Sequence, residues 1–187
     1  MGIFFTSDTH FNHKNIIKYE PVSRPFVTVE QMNQEIINRW NSVVSNDDIV
    51  VHLGDFFMGA LDAEEMARIM RQLKCKNIIL VKGNHDSKRR IQLMSEVCDR
   101  FLVARASPTV SDFYICGQRV ILEHCPDPEY VPQDCVAFYG HVHSVAPTGW
   151  SDEFGFRGYH VGVDTNNLTP VSLEQIGREY IDKYAAD

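Results

Sequence analysis

Apolar residues along this chain follow two rhythms. From Thr28 to Val44 the residues Val29, Met32, Ile36, Ile37, Trp40, Val43 and Val44 recur at helical spacing, which predicts an amphipathic helix. Ile49-Val50-Val51-His52-Leu53 and Ile78-Ile79-Leu80-Val81 are instead near-continuous apolar runs, the pattern of strands buried on both faces. Ile3-Phe4-Phe5 predicts a short first strand that ends at Asp8, and Asp47-Asp48 turns the chain into the second. Asp62 with Glu65 makes a capping box for a helix through Leu73, and a charged helix is predicted from about Lys88 to Val97.

The second half changes character. Phe101 to Val103, Phe113 to Cys116, Arg119 to Glu123, Cys135 to Tyr139 and Tyr159 to Val163 predict strands, with Gly117-Gln118 as a hairpin turn. Ser172 with Gln175 opens a last helix, Leu173 to Tyr184. Strand–helix alternation followed by a strand-rich half predicts an α/β protein with two sheets packed face to face and helices outside. No repeat, low-complexity tract or linker interrupts the chain, so residues 1–187 are read as a single domain, long enough to bury one sizeable core.

Composition narrows the partners. A hydrophobic fraction of 44% and a charged fraction of 23% are ordinary for a globular chain. A net charge of −7 offers no basic field, so long nucleic acid is not an expected partner; bound divalent cations would offset part of it. The N-terminus has no basic leader, and no apolar run approaches the roughly 20 residues of a membrane span. The five cysteines (Cys75, Cys98, Cys116, Cys125, Cys135) are odd in number and lack CxxC spacing, which reads as reduced thiols. The expected setting is the cytoplasm, without a membrane partner.

Five polar clusters carry the chemistry: Asp8-Thr9-His10, Gly54-Asp55, Gly83-Asn84-His85-Asp86, His124 and Gly140-His141-Val142-His143. Each closes an apolar run, and loops at strand ends are where sites collect in α/β sheets. Asp8 and His10, alternating by two in a segment read as extended, would project from the same side of the chain. Taken singly, Asp-x-His also suits a solvated turn, and Asp55 suits a turn or helix cap. Gly83-Asn84-His85-Asp86 is harder to explain as loop chemistry, since a turn does not call for the histidine. Together the clusters offer only nitrogen and oxygen donors, which favours Mn²⁺, Fe or Zn²⁺ over soft-metal chemistry and does not choose among them; Mn²⁺ is the expected ion, with Fe, Zn²⁺ or Ni²⁺ as alternatives.

The ordered set Asp-x-His, Gly-Asp, Gly-Asn-His-Asp, His and Gly-His-x-His resembles the calcineurin-like metallophosphoesterase superfamily from Asp8 to His143. The phrases Ser7-Asp8-Thr9-His10-Phe11-Asn12-His13 and His52-Leu53-Gly54-Asp55-Phe56 are similar to its small single-domain bacterial and phage members. The resemblance implies a four-layer α/β/β/α sandwich, with two mixed sheets flanked by helices, and a dinuclear centre of two divalent metal ions. It implies that Asp8, His10 and His143 hold one ion and Asn84, His124 and His141 the other, with Asp55 bridging. His85 would face the substrate as general acid or phosphoryl contact. Two such ions about 3.5–4 Å apart clamp phosphoryl oxygens and turn a bridging water into hydroxide near neutral pH.

Departures from the family narrow the substrate. Its phosphoprotein-phosphatase branch carries an Asp-Arg pair soon after Gly-Asp and an arginine before Gly-Asn-His; here stand Phe56-Phe57-Met58-Gly59 and Val81-Lys82. A lysine is a point charge on a flexible stem and does not replace that fork. The reading therefore favours a phosphodiester, of a nucleotide-like or cyclic phosphate, over a broad-range phosphomonoesterase on the same centre. Arg24, Arg89, Arg90 and Arg157 are the arginines that could still reach in from loops. Asn12, His13 and Arg24 are grouped as substrate contacts, with Asn12, His13 and Asn15 equally suited to a polar loop with a helix cap. His52 is read as a core histidine, His160 as a core or supporting group, and Trp150, Phe154 and Phe156 as a plug at a sandwich edge. A non-catalytic metal-binding scaffold would have lost ligands, and none of these positions is lost.

Overall fold

The computed structural model describes residues 1–59, 62–75, 77–98, 100–104 and 109–185. Strands β1 (Ile3–Thr6), β2 (Ile49–His52), β3 (Asn77–Leu80) and β4 (Arg100–Val103) are parallel neighbours, registered at Ile3, Ile49, Asn77 and Arg100. Between β1 and β2 run a short helix α1 (Ile16–Tyr19) and α2 (Val29–Val43); α3 (Ala63–Gln72) and α4 (Lys88–Val97) make the next two crossovers. The second sheet is built from β5 (Thr109–Ile115), β6 (Gln118–Leu122), β7 (Cys135–Tyr139), β8 (Trp150–Ser151) and β9 (Gly158–His160), in the order β5-β6-β7-β9-β8. Strand β10 (Val171–Ser172) returns antiparallel to β1, and α5 (Leu173–Tyr184) follows it. Both sheets are mixed, so the class is α/β with two mixed sheets flanked by helices.

The apolar runs are continuous because both faces of the central strands are covered. Val50, Ile78 and Leu80 face α2, α3 and α4, where Met32, Ile36, Trp40, Met66 and Ile69 are buried. Phe5, Val51, Leu53 and Val81 face the other way, against Val120, Leu122, Val136 and Phe138 of the second sheet. Phe5 and Phe138 meet edge to face across this layer, 4.8 Å between centroids. Ile176 and Tyr180 of α5 join the same cluster, with Trp150 donating to the Ile176 carbonyl at 2.9 Å. Tyr139 and Phe156 pack on the outer face of the second sheet, where Phe154 reaches them. The three aromatics read as a plug thus lie in the packing.

Several boundaries moved for physical reasons. The hairpin turn is Cys116-Gly117, not Gly117-Gln118: both residues have positive φ, 48° and 83°, as a two-residue hairpin of matching twist requires, and Ile115 pairs with Gln118. Asp62 and Ser172 cap their helices by accepting from Glu65 and Gln175, while the reciprocal box is closed at Thr28 and Gln31. The strand predicted through Val163 ends at His160, after which Gly162 bridges to Ser7 and the Val163 amide donates to the Ser7 carbonyl at 3.2 Å. That bridge ties the end of β1 to the end of β9, so the loops of the two sheets converge. The cysteines are all free; Cys75, Cys98 and Cys135 are buried, and Cys116 and Cys125 exposed. No helix among the described residues is long and apolar enough to cross a membrane.

Candidate metal centre

Beyond the ends of β1 and β2 the two chains stay bonded to each other: the amides of Asp8, His10 and Phe11 donate to the carbonyls of Gly54, Asp55 and Phe56 at 2.9–3.0 Å. The segment is not extended, as its alternation suggested. Asp8 (φ 56°), His10 (46°) and Asn12 (67°) all take the left-handed conformation, and so do Asp55 (59°), His141 (73°) and His143 (48°). Such backbone is costly for residues with a Cβ and persists where the surroundings over-determine it. At Asp55 the lock is Asp86, whose buried carboxylate accepts from the amides of Asp55 (2.8 Å), Phe56 (3.1 Å) and Gly83 (2.9 Å). Burial pushes that carboxyl up, against the three donors. Gly83 packs so tightly on the Asp55 loop that an added Cβ would lie 2.5 Å from the Asp55 nitrogen.

The predicted residues converge. Asp55 Oδ2 lies 3.6 Å from His10 Nε2, 3.4 Å from His124 Nε2 and 3.9 Å from His85 Nε2, between the two sets of histidines. Donor atoms of Asp8, His10 and His143 lie within 4.8 Å of one another, and so do those of Asp8, Asp55 and His124. Asn84 Oδ1 stands 2.9 Å from His124 Nε2 and 3.1 Å from His141 Nδ1. Asp8 Oδ2 accepts from Ser7 Oγ (2.6 Å) and the His141 amide (2.9 Å), while its buried Oδ1 has no partner.

The donor set fits divalent ions on a specific observation. His124 Nδ1 sits 2.7 Å from the Leu53 carbonyl, which can only accept, so Nδ1 carries the proton. Its Nε2 lone pair then faces a carboxylate oxygen (Asp55 Oδ2) and an amide oxygen (Asn84 Oδ1), with His141 Nδ1 at 3.2 Å. A cation, or a second proton on the ring, resolves that contact. Burial lowers the His124 pKa, but the Asp55 bond and the Asp8 and Asp55 charges outweigh it and raise it to about 9. Burial alone would lift Asp55, yet His124, the His85 amide and His10 hold it well below the usual carboxylate range. Burial takes His10 down to about 2, leaving a neutral imidazole able to act as a ligand, and pushes Asp8 up.

Arg24 is not where a substrate contact would be. It is 0% exposed, and its donors are spent on Asp164 (2.7 and 2.8 Å), the Asp8 carbonyl (2.6 Å) and the Thr9 carbonyl (3.1 Å). Of the other candidate arginines, Arg89 and Arg90 lie in the first turn of α4 and not in a loop; Arg89 is exposed and Arg90 donates to the His85 and Gly59 carbonyls, while Arg157 donates to Asp152 and Tyr180. The His13 ring lies 5.5 Å from His10, and Asn12 and His13 line a cavity of about 480 Å³ with Lys14, Gly59 and the carboxylates Glu30 and Glu65. His85 is part-exposed, its ring 5.6 Å from His10. His52 bonds Thr9 Oγ1 at 3.0 Å and His160 bonds Thr165 Oγ1 at 2.7 Å, both buried.

Sequence reasoning missed Asp164. Its Oδ2 accepts from His143 Nδ1 at 2.7 Å. Burial favours its neutral form, but Arg24 and His143 keep its pKa well below the usual carboxylate range. The available signal was an aspartate directly after Val161-Gly162-Val163, the same strand-end placement as the other acids.

Known proteins bear on this geometry. The chain is 35% identical over 180 residues to an uncharacterised protein of Methanocaldococcus jannaschii, covering 93% of this chain and 88% of that one. It is 33% identical over 85 residues to the gene 66 protein of Mycobacterium phage L5, covering 44% and 39%. A crystal structure of a protein of unknown function, AQ665 from Aquifex aeolicus, matches with a TM-score of 0.68 at 28% identity, over 95% of this chain and 98% of that one. The model of the calcineurin-like phosphoesterase family matches residues 1–129, which hold four of the five strand-end clusters, all but Gly140-His141-Val142-His143. The match and the buried Asp8, Asp55 and His124 cluster together place this chain in the calcineurin-like phosphoesterases, as a metal-dependent phosphoesterase.

Proposed function

We propose that the protein is a dinuclear phosphodiesterase acting on a small nucleotide-like or cyclic phosphate. Asp8, His10 and His143 would hold one divalent ion and Asn84, His124 and His141 the other, with Asp55 between them; Mn²⁺ suits these donors, and Fe, Zn²⁺ or Ni²⁺ would also. The observation that carries the reading is His124, whose tautomer turns the Nε2 lone pair toward Asp55 Oδ2, Asn84 Oδ1 and His141 Nδ1, three groups able to share a cation. When bound, two such ions supply charge neutralisation at the phosphoryl oxygens and an acidified water.

The chain's own residues do the rest. Asp55 receives the His85 amide at 2.8 Å on Oδ1, which sets the His85 ring at the mouth of the centre. Arg90 braces the same residue through its carbonyl at 2.6 Å. From there His85 Nε2 can hand a proton to the departing oxygen, a general-acid role. Asn12 and His13, on the wall of the adjoining cavity, would contact the leaving group.

Preference for a diester is supported by where the arginines went. A dianionic monoester is best gripped by a guanidinium fork, whereas Arg24 and Arg157 are committed to other side chains, Arg90 to main-chain carbonyls, and Arg89 is exposed on α4. The test compares an aryl phosphodiester with its monoester, using Mn²⁺ or chelator, in the wild type and in Asn84→Ala and His85→Ala. Metal-dependent diester cleavage that falls 10²-fold or more in both variants is the expected result, on the scale of acid–base catalysis, about 10²–10⁴. A clear monoester preference would refute the diester assignment.

A further inference from the structure

Arg24 is among the largest fully buried side chains of the protein, and nothing in the proposed chemistry uses it. A charge this deep is expensive to desolvate, and a well-packed apolar replacement of such a pair often serves stability as well. What the pair supplies instead is placement. The guanidinium grips both oxygens of Asp164 (Nε to Oδ1 2.7 Å, Nη2 to Oδ2 2.8 Å) and, on its other side, the main-chain carbonyls of Asp8 and Thr9. Ser23 Oγ adds a bond to Asp164 Oδ1 at 2.8 Å. Asp164 Oδ2 then receives the Nδ1 proton of His143, whose ring stacks on His10 with centroids 5.1 Å apart.

We infer that Arg24 and Asp164 form a positioning pair for the first metal site. Through Asp164 they fix the His143 tautomer that leaves Nε2 free to bind a cation. Through the Asp8 and Thr9 carbonyls they hold the left-handed backbone that aims Asp8 and His10. The inference rests on the assignment of Asp8, His10 and His143 as ligands of one ion. The second site is oriented differently: His124 is set by a main-chain carbonyl, Leu53. Among the described residues, neither His124, His141 nor Asn84 is hydrogen-bonded to Arg24 or Asp164. A carboxylate behind an imidazole raises its strength as a ligand and fixes its ring, and losing one costs about 10–100-fold in metal affinity. The loss should therefore fall on one ion of the two.

The measurement is the number and affinity of Mn²⁺ ions bound per chain, by titration calorimetry on chelator-stripped protein, independent of any substrate. Wild type should bind two. Asp164→Asn should weaken one by about 10–100-fold and leave the other within about twofold. The same substitution in a His143→Ala background should produce a clearly smaller further loss at that site, since only the route through the Asp8 and Thr9 carbonyls remains. Equal weakening of both ions, or an undiminished effect without His143, would overturn the inference and make the pair a general structural element. Should Asp164→Asn fail to fold, Arg24→Lys carries the test, since it keeps the charge and the Asp164–His143 bond but loses the fork. A selective but smaller weakening of one ion supports the pair, and unchanged binding of both overturns it. A wild type that binds no Mn²⁺ would instead overturn the metal-centre assignment itself.

Discussion

Asp86 offers the sharpest test of how the centre is built, because it touches no candidate donor atom yet holds two of the loops that carry them. Its Oδ2 accepts from the Asp55 and Gly83 amides and its Oδ1 from Phe56, all buried. Asp86→Asn keeps the shape but offers one acceptor oxygen. In its better orientation the amide oxygen retains two of the three bonds, and the amide NH₂ is left facing the Phe56 N–H. A hydrogen bond to a charged acceptor contributes about 1.5–3 kcal/mol, and a stranded buried donor costs about 1–3 kcal/mol. The two overlap, so the expected loss is about 2–4 kcal/mol. Urea unfolding in chelator, followed by the fluorescence of buried Trp40 and Trp150, should show the midpoint falling by about 1–2 M. Asp62→Asn is the control, since asparagine caps a helix as well as aspartate and the change should stay within about 0.5 kcal/mol. If Asp86→Asn is as mild as that control, the loops are not held as described.

Gly83→Ala would press a methyl group against Asp55 main chain that cannot yield, so a loss of about 3 kcal/mol and reduced metal content are expected; normal melting and full metal occupancy would contradict the packing. Burial holds His52 and His160 near about 3, against 6.5 when unfolded. A lowered histidine pKa stabilises the fold above the unfolded value, and this is lost as pH falls from 6.5 toward 3, by up to ~1.4 kcal/mol per pH unit for each ring. His52→Gln should therefore flatten the decline of the urea midpoint between pH 7 and 4, and an unchanged slope would count against a neutral buried ring. Stripping the ions should lower thermal stability by about 2.7 kcal/mol for each ion held at a hundredfold excess over its dissociation constant, and the shift should shrink in Asn84→Ala; identical melts with and without chelator would argue against a folded metal site.

Much of this protein was legible along the chain, for reasons of local physics. β2 and β3 were visible because strands covered on both faces need unbroken apolar runs, and α2 because one covered face imposes a 3.6-residue period. The metal-site candidates were visible because Asp8, Asp55, Asn84, His124, His141 and His143 each follow such a strand. β8 and β10 were not, since two residues carry no period and exist only by pairing with β9 and β1. The left-handed backbone at Asp8, His10 and Asp55 was hidden too, because it is imposed by hydrogen bonds from loops more than 25 residues distant in sequence. Arg24 looked like a loop arginine free to meet substrate, and Asp164 like the end of a strand. Only folding brings them together across 140 residues, behind His143. Residue identity and period are local properties of a chain, whereas the direction a buried charge faces is decided by which partners the tertiary structure places within about 3 Å of it.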